Sequence, residues 1–283
     1  MRDRLVLLGT KGGPSIRKGS PSPSASVVQL SGKTIVVDCG IGVTRSLVEA
    51  GVRLDQIDYV FITHLHSDHL LELGPLLYTA WTSNLKTPVT VYGPPGIVAY
   101  WDHFIASMDL DHSIRTGDEK REKLTDLIRI ETFTDGRVAN LDGIEVTALR
   151  VDHPPVTDCF ALRFDSPKVA VVFSADTCYF PPLAAFAKGA DILVHEAMLG
   201  AGVDALVERM ATARDLRAHL LASHTMIEDV GRIASEAGVG RLVLTHLVPA
   251  DDPRFGQAEW EDAVAATWSG PVSVGRDGLE IGL

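Results

Sequence analysis

At five places in the chain a short apolar run gives way almost at once to a residue able to ligate a metal. Ile62 precedes His64, Val151 precedes His153, Phe173 precedes Asp176, Val194 precedes His195, and Leu244 precedes His246. Short apolar runs bounded by polar or turn residues read as buried strands. Ligands supplied from strand ends sit on rigid positions along one edge of a sheet, where a layered α/β fold usually places its site. The recurrence limits the chain to folds whose strands open onto a common edge.

The densest of these places is His64-Leu65-His66-Ser67-Asp68-His69, directly after Tyr59-Val60-Phe61-Ile62. Imidazoles with one carboxylate suit a borderline metal such as zinc. Three of the four candidates can hold one ion, or the four can divide between two ions. Three histidines and an aspartate so close together have no packing use. Taken singly, His153 before Pro154-Pro155 and His246 read as satisfied structural histidines, and Asp176 as a turn or cap residue. Their order and strand-end settings make them ligands as a set.

The rest of the chain supplies the layers. Strands are expected at 25–30, 34–38, 59–62, 89–92, 128–133, 144–151, 160–164, 169–173, 192–195 and 241–246, with further pieces between 272 and 281. Asp165-Ser166-Pro167 joins 160–164 and 169–173 as a hairpin. Helices are expected at 45–50, ended by Gly51, and at 70–81, 204–221, 225–237 and 258–268. Thr225, with Glu228 three residues later, forms a capping-box pattern that starts the 225–237 helix just after His224. Segment 12–26, rich in Gly, Pro and Ser, reads as a surface loop, and polar 109–126 as a mobile flap or irregular helix. With no low-complexity linker and no short-period repeat, 1–283 is expected to be a single domain.

Charge and composition narrow the partners. At a formal net charge of −11 the chain gains nothing from general attraction to a polyphosphate backbone, and no dense Lys/Arg run appears, so nucleic acid is disfavoured. No apolar run approaches the roughly 20 residues of a bilayer span. The apolar stretch after Arg4 is too short for a signal peptide's core. Cys39, Cys159 and Cys178 form neither a disulfide framework nor a CxxC zinc site. These features point to a cytoplasmic protein with no membrane partner.

The HxHxDH run after a strand resembles the signature of the metallo-β-lactamase superfamily. Leu8-Gly9-Thr10-Lys11-Gly12-Gly13-Pro14, Val36-Val37-Asp38-Cys39-Gly40, Phe173-Ser174-Ala175-Asp176-Thr177, His195-Glu196-Ala197 and Leu244-Thr245-His246 look like its ribonuclease Z and arylsulfatase-like branch. The resemblance covers nearly the whole chain. It implies an α/β (α+β) fold, the four-layer αββα sandwich. It also implies two divalent metal ions, zinc before manganese or iron. His64, His66 and His153 would hold the first, Asp68, His69 and His246 the second, and Asp176 would bridge both. Two such ions about 3.5–4 Å apart lower the pKa of a shared water and clamp a developing oxyanion. Asp38 either orients a ligand histidine from behind or merely ends a strand.

His195-Glu196-Ala197-Met198 resembles the branch's His-Glu-Ala-Thr motif, with Met198 in the threonine's place, and Ser223-His224-Thr225 resembles its second helper motif. The resemblance implies that Glu196 pairs with His224, which gives a proton to the leaving oxygen, while Asp68 deprotonates or orients the water. The structural alternative is that Glu196 ends a strand and His224 opens a helix; His195 reads as a supporting residue. His103, His112 and His219 have no motif context, His219 being the nearest to a substrate role. Trp81, Trp101, Trp260 and Trp268 read as core, and Cys178 as a small buried filler.

Ribonuclease Z carries a long Gly/Pro-rich basic arm between its third histidine and its bridging aspartate. Here only a strand–turn–strand separates His153 from Asp176. The hydrolytic residues are retained while the tRNA handle is absent. The expected function is a dinuclear metal-dependent hydrolase of a small phosphodiester or related ester, such as a sulfate ester. Alternatives are a lactonase or β-lactamase-type hydrolase, ribonuclease Z itself, and a non-catalytic metal-stabilised binding module. A flavodiiron-type oxidoreductase fits less well, because that group places a carboxylate where His66 stands. Selectivity is expected from 109–126 and 199–221, and a homodimer by analogy with the branch.

Overall fold

The computed structural model describes residues 2–209 and 215–283, and their strands form two seven-stranded sheets. The first sheet runs β14 (Leu279–Gly282), β1 (Arg4–Gly9), β2 (Ala25–Leu30), β3 (Lys33–Val37), β4 (Tyr59–Phe61), β5 (Val89–Gly93), β6 (Ile128–Thr132). The second runs β13 (Val272–Val274), β12 (Arg241–Val248), β11 (Ile192–Met198), β10 (Ala170–Phe173), β9 (Phe160–Asp165), β8 (Ile144–Arg150), β7 (Gly136–Leu141). Pairing is antiparallel from β14 to β3 and parallel from β3 to β6. In the second sheet it is parallel from β13 to β10 and antiparallel from β10 to β7.

The strands are apolar on both faces because both faces are covered. Successive side chains alternate across a strand. Leu5 and Leu7 of β1, Val28 and Leu30 of β2, Ile35 and Val37 of β3, and Phe61 of β4 enter the layer between the sheets. Their neighbours Val6, Leu8, Val27, Val36 and Val60 point the other way, into a layer shared with helices Val43–Glu49, Leu73–Thr82 and Ile97–Ser107. Helices Pro182–Phe186, Ile227–Ala237 and Gln257–Ala265 cover the second sheet around Leu183, Ile233, Trp260 and Val264. Three apolar layers between four structural ones make the αββα sandwich of the metallo-β-lactamase fold.

Several local expectations need correction. Of the two readings of 109–126, the interrupted helix holds and the flap does not: helix Asp109–Asp118 breaks at 119–123 and a short turn of helix, Leu124–Leu127, follows. In place of one helix over 204–221 there are Gly200–Arg209 and Leu216–Ser223, and 210–214 lies outside the described residues. The capping box at Thr225 does not form. Met226 is the N-cap, without a side-chain cap bond, and the Thr225 hydroxyl donates to the Thr177 carbonyl at 2.6 Å. Strand β7 was not anticipated, because an exposed edge strand such as Gly136–Leu141 needs little apolar patterning. Cys178 is half-buried, with its thiol directed to Asp152 Oδ2. Among the described residues no helix is long and apolar enough to cross a membrane.

Candidate metal centre

The strand ends do converge. Asp38 follows β3, His64 follows β4, Asp176 follows β10, Glu196 lies in β11 and His246 in β12; Asp68 and His69 lie in the short helix Ser67–Leu70, and loops supply the rest. The backbone is bent to aim them. In the β11–β12 ladder Glu196 faces Thr245 and Ala197 faces Leu247, so His246 is the extra residue of a bulge. Bulges re-aim side chains next to functional sites. His246, Asp38 and Ala175 all take left-handed φ (43°, 62° and 56°), which for residues other than glycine costs about 1–3 kcal/mol each. That cost is tolerated where the surroundings fix the geometry.

Two groups of donors result. In the first, His64 Nε2 and His153 Nε2 lie 3.1 and 3.2 Å from His66 Nδ1. A tetrahedral zinc site with ordinary zinc–nitrogen bonds spaces its ligand atoms about 3.3 Å apart. The second group brings together Asp68, His69, Asp176 and His246. Asp176 Oδ2 lies 3.8 and 3.9 Å from His64 and His153 Nε2, and 3.3 and 3.1 Å from His69 and His246 Nε2, so one oxygen faces both groups.

Hydrogen bonds behind the rings fix their tautomers. His153 Nδ1–H donates to the Ser223 carbonyl at 2.8 Å, and since a carbonyl only accepts, a neutral His153 turns a lone pair inward at Nε2. His69 Nδ1 meets Asp38 Oδ2 at 2.8 Å. The Thr63 hydroxyl donates to the Asp38 carboxylate and accepts from His64 Nδ1 at 3.1 Å. Asp38 thus orients two histidines, one directly and one through Thr63. It also accepts the Thr63 N–H at 2.8 Å. Among the described residues His69 Nε2 and His246 Nδ1 are buried without a hydrogen-bond partner, and buried polar atoms are rarely left so. Orphaned nitrogen, converging lone pairs and a mixed imidazole–carboxylate set all fit divalent metal.

Electrostatics separates the groups. Burial pushes His64 well below the ordinary imidazole range, and lowers His66 and His153 too, so these rings are neutral. Burial also opposes charge on His69 and His246, but the surrounding carboxylates together outweigh it: Asp176, Asp38 and Asp68 at His69, and Asp176, Asp68 and Glu196 at His246. His69 is raised well above its usual value and His246 to about 10. Without a cation, protons balance the carboxylates of the second group.

Glu196 and His224 stand beside it. His224 Nδ1 lies 3.0 and 3.1 Å from the two Glu196 oxygens, and the Thr177 N–H holds Glu196 Oε1 at 2.7 Å. Burial opposes the His224 charge, but Glu196 wins and raises its pKa. The His224 ring stacks on His246 with centroids 5.2 Å apart. Though Glu196, His224 and His246 could also be drawn as a ligand group, the Glu196–His224 hydrogen bond satisfies that pair without metal. His195 is fully buried, with its Nδ1 on the Glu196 carbonyl.

A cavity of about 390 Å³ opens over both groups, within the usual range for small-molecule sites. His66, Asp68, Asp176, His224 and His246 form its floor; Leu206, Leu216, Leu220 and Val248 give one wall an apolar face. Lys11 and Arg17 stand on another wall, and were not singled out from sequence. Of the two segments expected to set selectivity, 199–221 contributes to the wall, including exposed His219, and 109–126 does not. His112 instead packs on Trp81, and His103 is exposed. Trp81, Trp101 and Trp260 are buried and Trp268 half-buried.

Residues 4–239 match the profile of a family described as anti-Pycsar protein Apyc1. Ribonuclease Z of Mycolicibacterium gilvum (strain PYR-GCK) is 32% identical over 278 residues, covering 96% of this chain and 93% of the relative. Among solved structures, the metallo-β-lactamase fold protein YhfI from Bacillus subtilis superposes with a TM-score of 0.74 at 24% identity, covering 99% of this chain and 100% of that one. The short form of human tRNase Z gives 0.69 at 22% identity, with 98% of each chain covered.

Proposed function

This chain belongs to the Apyc1 and ribonuclease Z family of metallo-β-lactamase-fold hydrolases, and from that premise we propose that it hydrolyses a small phosphodiester at a centre of two zinc ions. His64, His66 and His153 would hold one ion and Asp68, His69 and His246 the other, with Asp176 facing both donor groups. When bound, the ions supply positive charge that makes a water nucleophilic near neutral pH and offsets charge developing on the phosphoryl oxygens.

The chain's own residues do the rest. Asp38 and the Ser223 carbonyl keep three rings in register. Asp68 orients the attacking water and accepts its proton. The water oxygen bonds to phosphorus, the ester P–O bond breaks, and the His224 imidazolium gives its Nε2 proton to the departing alkoxide. Glu196 keeps that imidazolium charged and aligned through Nδ1.

The observation that carries this reading is the buried Glu196–His224 pair beside the donor groups, with His224 lining the cavity and Glu196 behind it. A proton donor matters most when the leaving group is a poor alkoxide, as in an alkyl phosphodiester. The competing reading, cleavage of precursor tRNA, is favoured by the curated relative's name. Against it stand the −11 charge and the short β9–β10 hairpin between His153 and Asp176. The test is a zinc-reconstituted screen of bis-nitrophenyl phosphate, nitrophenyl sulfate, an acyl homoserine lactone, nitrocefin and precursor tRNA. Preferred turnover of the diester is expected. Preferred cleavage of the tRNA, or of the lactone or nitrocefin, overturns the proposal.

A further inference from the structure

We infer that Lys11 is a positioning residue for the second donor group, acting through the Gly12–Gly13 turn on Asp68. It rests on the reading of Asp68 as a metal ligand. Lys11 is only 4% exposed although it carries an ammonium. Its Nζ donates to the Gly12 carbonyl at 3.0 Å, the Gly13 carbonyl at 2.9 Å and the Ser15 hydroxyl at 3.4 Å. All three ammonium hydrogens are therefore committed to the turn that follows Lys11 itself, and none is left over to grip a substrate anion.

That turn touches the centre twice. The Gly13 N–H donates to Asp68 Oδ2 at 2.9 Å, and Oδ2 is the oxygen facing His246 Nε2 at 3.4 Å and His69 Nε2 at 3.7 Å. Gly13 presents its N–H there from a left-handed φ of 81°, which glycine adopts without strain. Gly12 lies against the His246 ring, where a Cβ would come within 3.0 Å of Cε1 and Nδ1. Backbone bonds anchor the start of the turn, Lys11 N–H to the Ser22 carbonyl at 3.0 Å and Gly12 N–H to the Leu247 carbonyl at 3.1 Å; beyond them the Lys11 ammonium gathers the Gly12 and Gly13 carbonyls and so turns the Gly13 amide toward Asp68. Removing the ammonium frees the Asp68 carboxylate to rotate, and outer hydrogen bonds of this kind control metal affinity by about ten- to hundred-fold.

The experiment is a stepwise zinc titration of the full chain, by calorimetry and chelator competition, on wild type, Lys11→Met, Lys11→Gln and Ser15→Ala. Asp68→Asn identifies which step belongs to the second group. Lys11→Met is expected to weaken that step about ten- to hundred-fold while the other step and the zinc-free melting temperature stay near wild type. Equal weakening of both steps, or no change in either, overturns the inference. If Lys11→Met does not fold, Lys11→Gln and Ser15→Ala carry the same comparison, and an unchanged second step in both overturns it. A wild type that binds one zinc ion overturns the dinuclear reading along with this one; two zinc ions with unchanged variants overturn this one alone.

Discussion

Replacing His224 by alanine separates the proposed proton donor from everything else in the centre. The ring is 8% exposed, it is no member of either proposed zinc ligand set, and its Nδ1 is committed to Glu196 at 3.0 Å, leaving Nε2 for the cavity. A positioned general acid contributes about 10²–10⁴-fold, or about 2.7–5.5 kcal/mol of barrier. The full loss is expected only where the leaving oxygen needs a proton. On alkyl phosphodiesters, His224→Ala should lower kcat/KM by that factor; on bis-nitrophenyl phosphate, whose leaving group departs as a stable phenolate, by less than about tenfold. The assay is kcat/KM across leaving alcohols of graded acidity, at constant zinc. The pH profile supplies a second reading. An acid works while protonated, so activity from this group is present below its pKa and lost above it. Because Glu196 outweighs burial and raises that pKa, the wild-type alkaline limb should lie above the ordinary imidazole range. Glu196→Gln should move the limb to lower pH. Equal losses on alkyl and nitrophenyl substrates would refute the reasoning, since they would mean that His224 only shapes the site.

Further outcomes follow from the same geometry. Zinc binding to the metal-free protein at pH 7 should release protons, because His246, raised to about 10 by Asp176 against its burial, holds a proton that the metal must displace. Apparent affinity should then rise with pH about tenfold per unit for each proton released, and heats that do not vary with the buffer's ionisation enthalpy would contradict this. Gly12→Ala would set a Cβ 2.5 Å from Val248 Cγ2 and 3.0 Å from the His246 ring. It should cut turnover about a hundred-fold by displacing His246, with circular dichroism unchanged. Phe61→Ala should cost about 3–5 kcal/mol in urea unfolding, since the fully buried ring stacks on Tyr92 at 4.7 Å and meets Phe164 of the opposite sheet edge-on at 5.2 Å.

What was legible in the chain, and what was not, divides along a physical line. Strands such as β2 could be read because strands covered on both faces must be apolar almost throughout, while the αββα layering itself came with the family resemblance. The donors could be read because chemistry restricts their residue types and the strand ends fix their places. Thr225 misled because the capping-box pattern is local, while its hydroxyl is engaged by Thr177, 48 positions away in sequence. Asp38 stayed ambiguous for the same reason: its partners Thr63 and His69 come from the segment after parallel strand β4 and from the short helix Ser67–Leu70 beyond it. Lys11 lies within the Leu8–Pro14 motif, yet nothing in the sequence sets it apart. Its signal, a cation between Thr10 and two glycines, looks like an ordinary surface turn until burial shows that the ammonium faces inward. The ligand types name the chemistry, but their orientation depends on hydrogen bonds between segments that only the fold brings together. Support of that kind should therefore be sought wherever a buried charge such as Lys11 is satisfied by the backbone of its own loop.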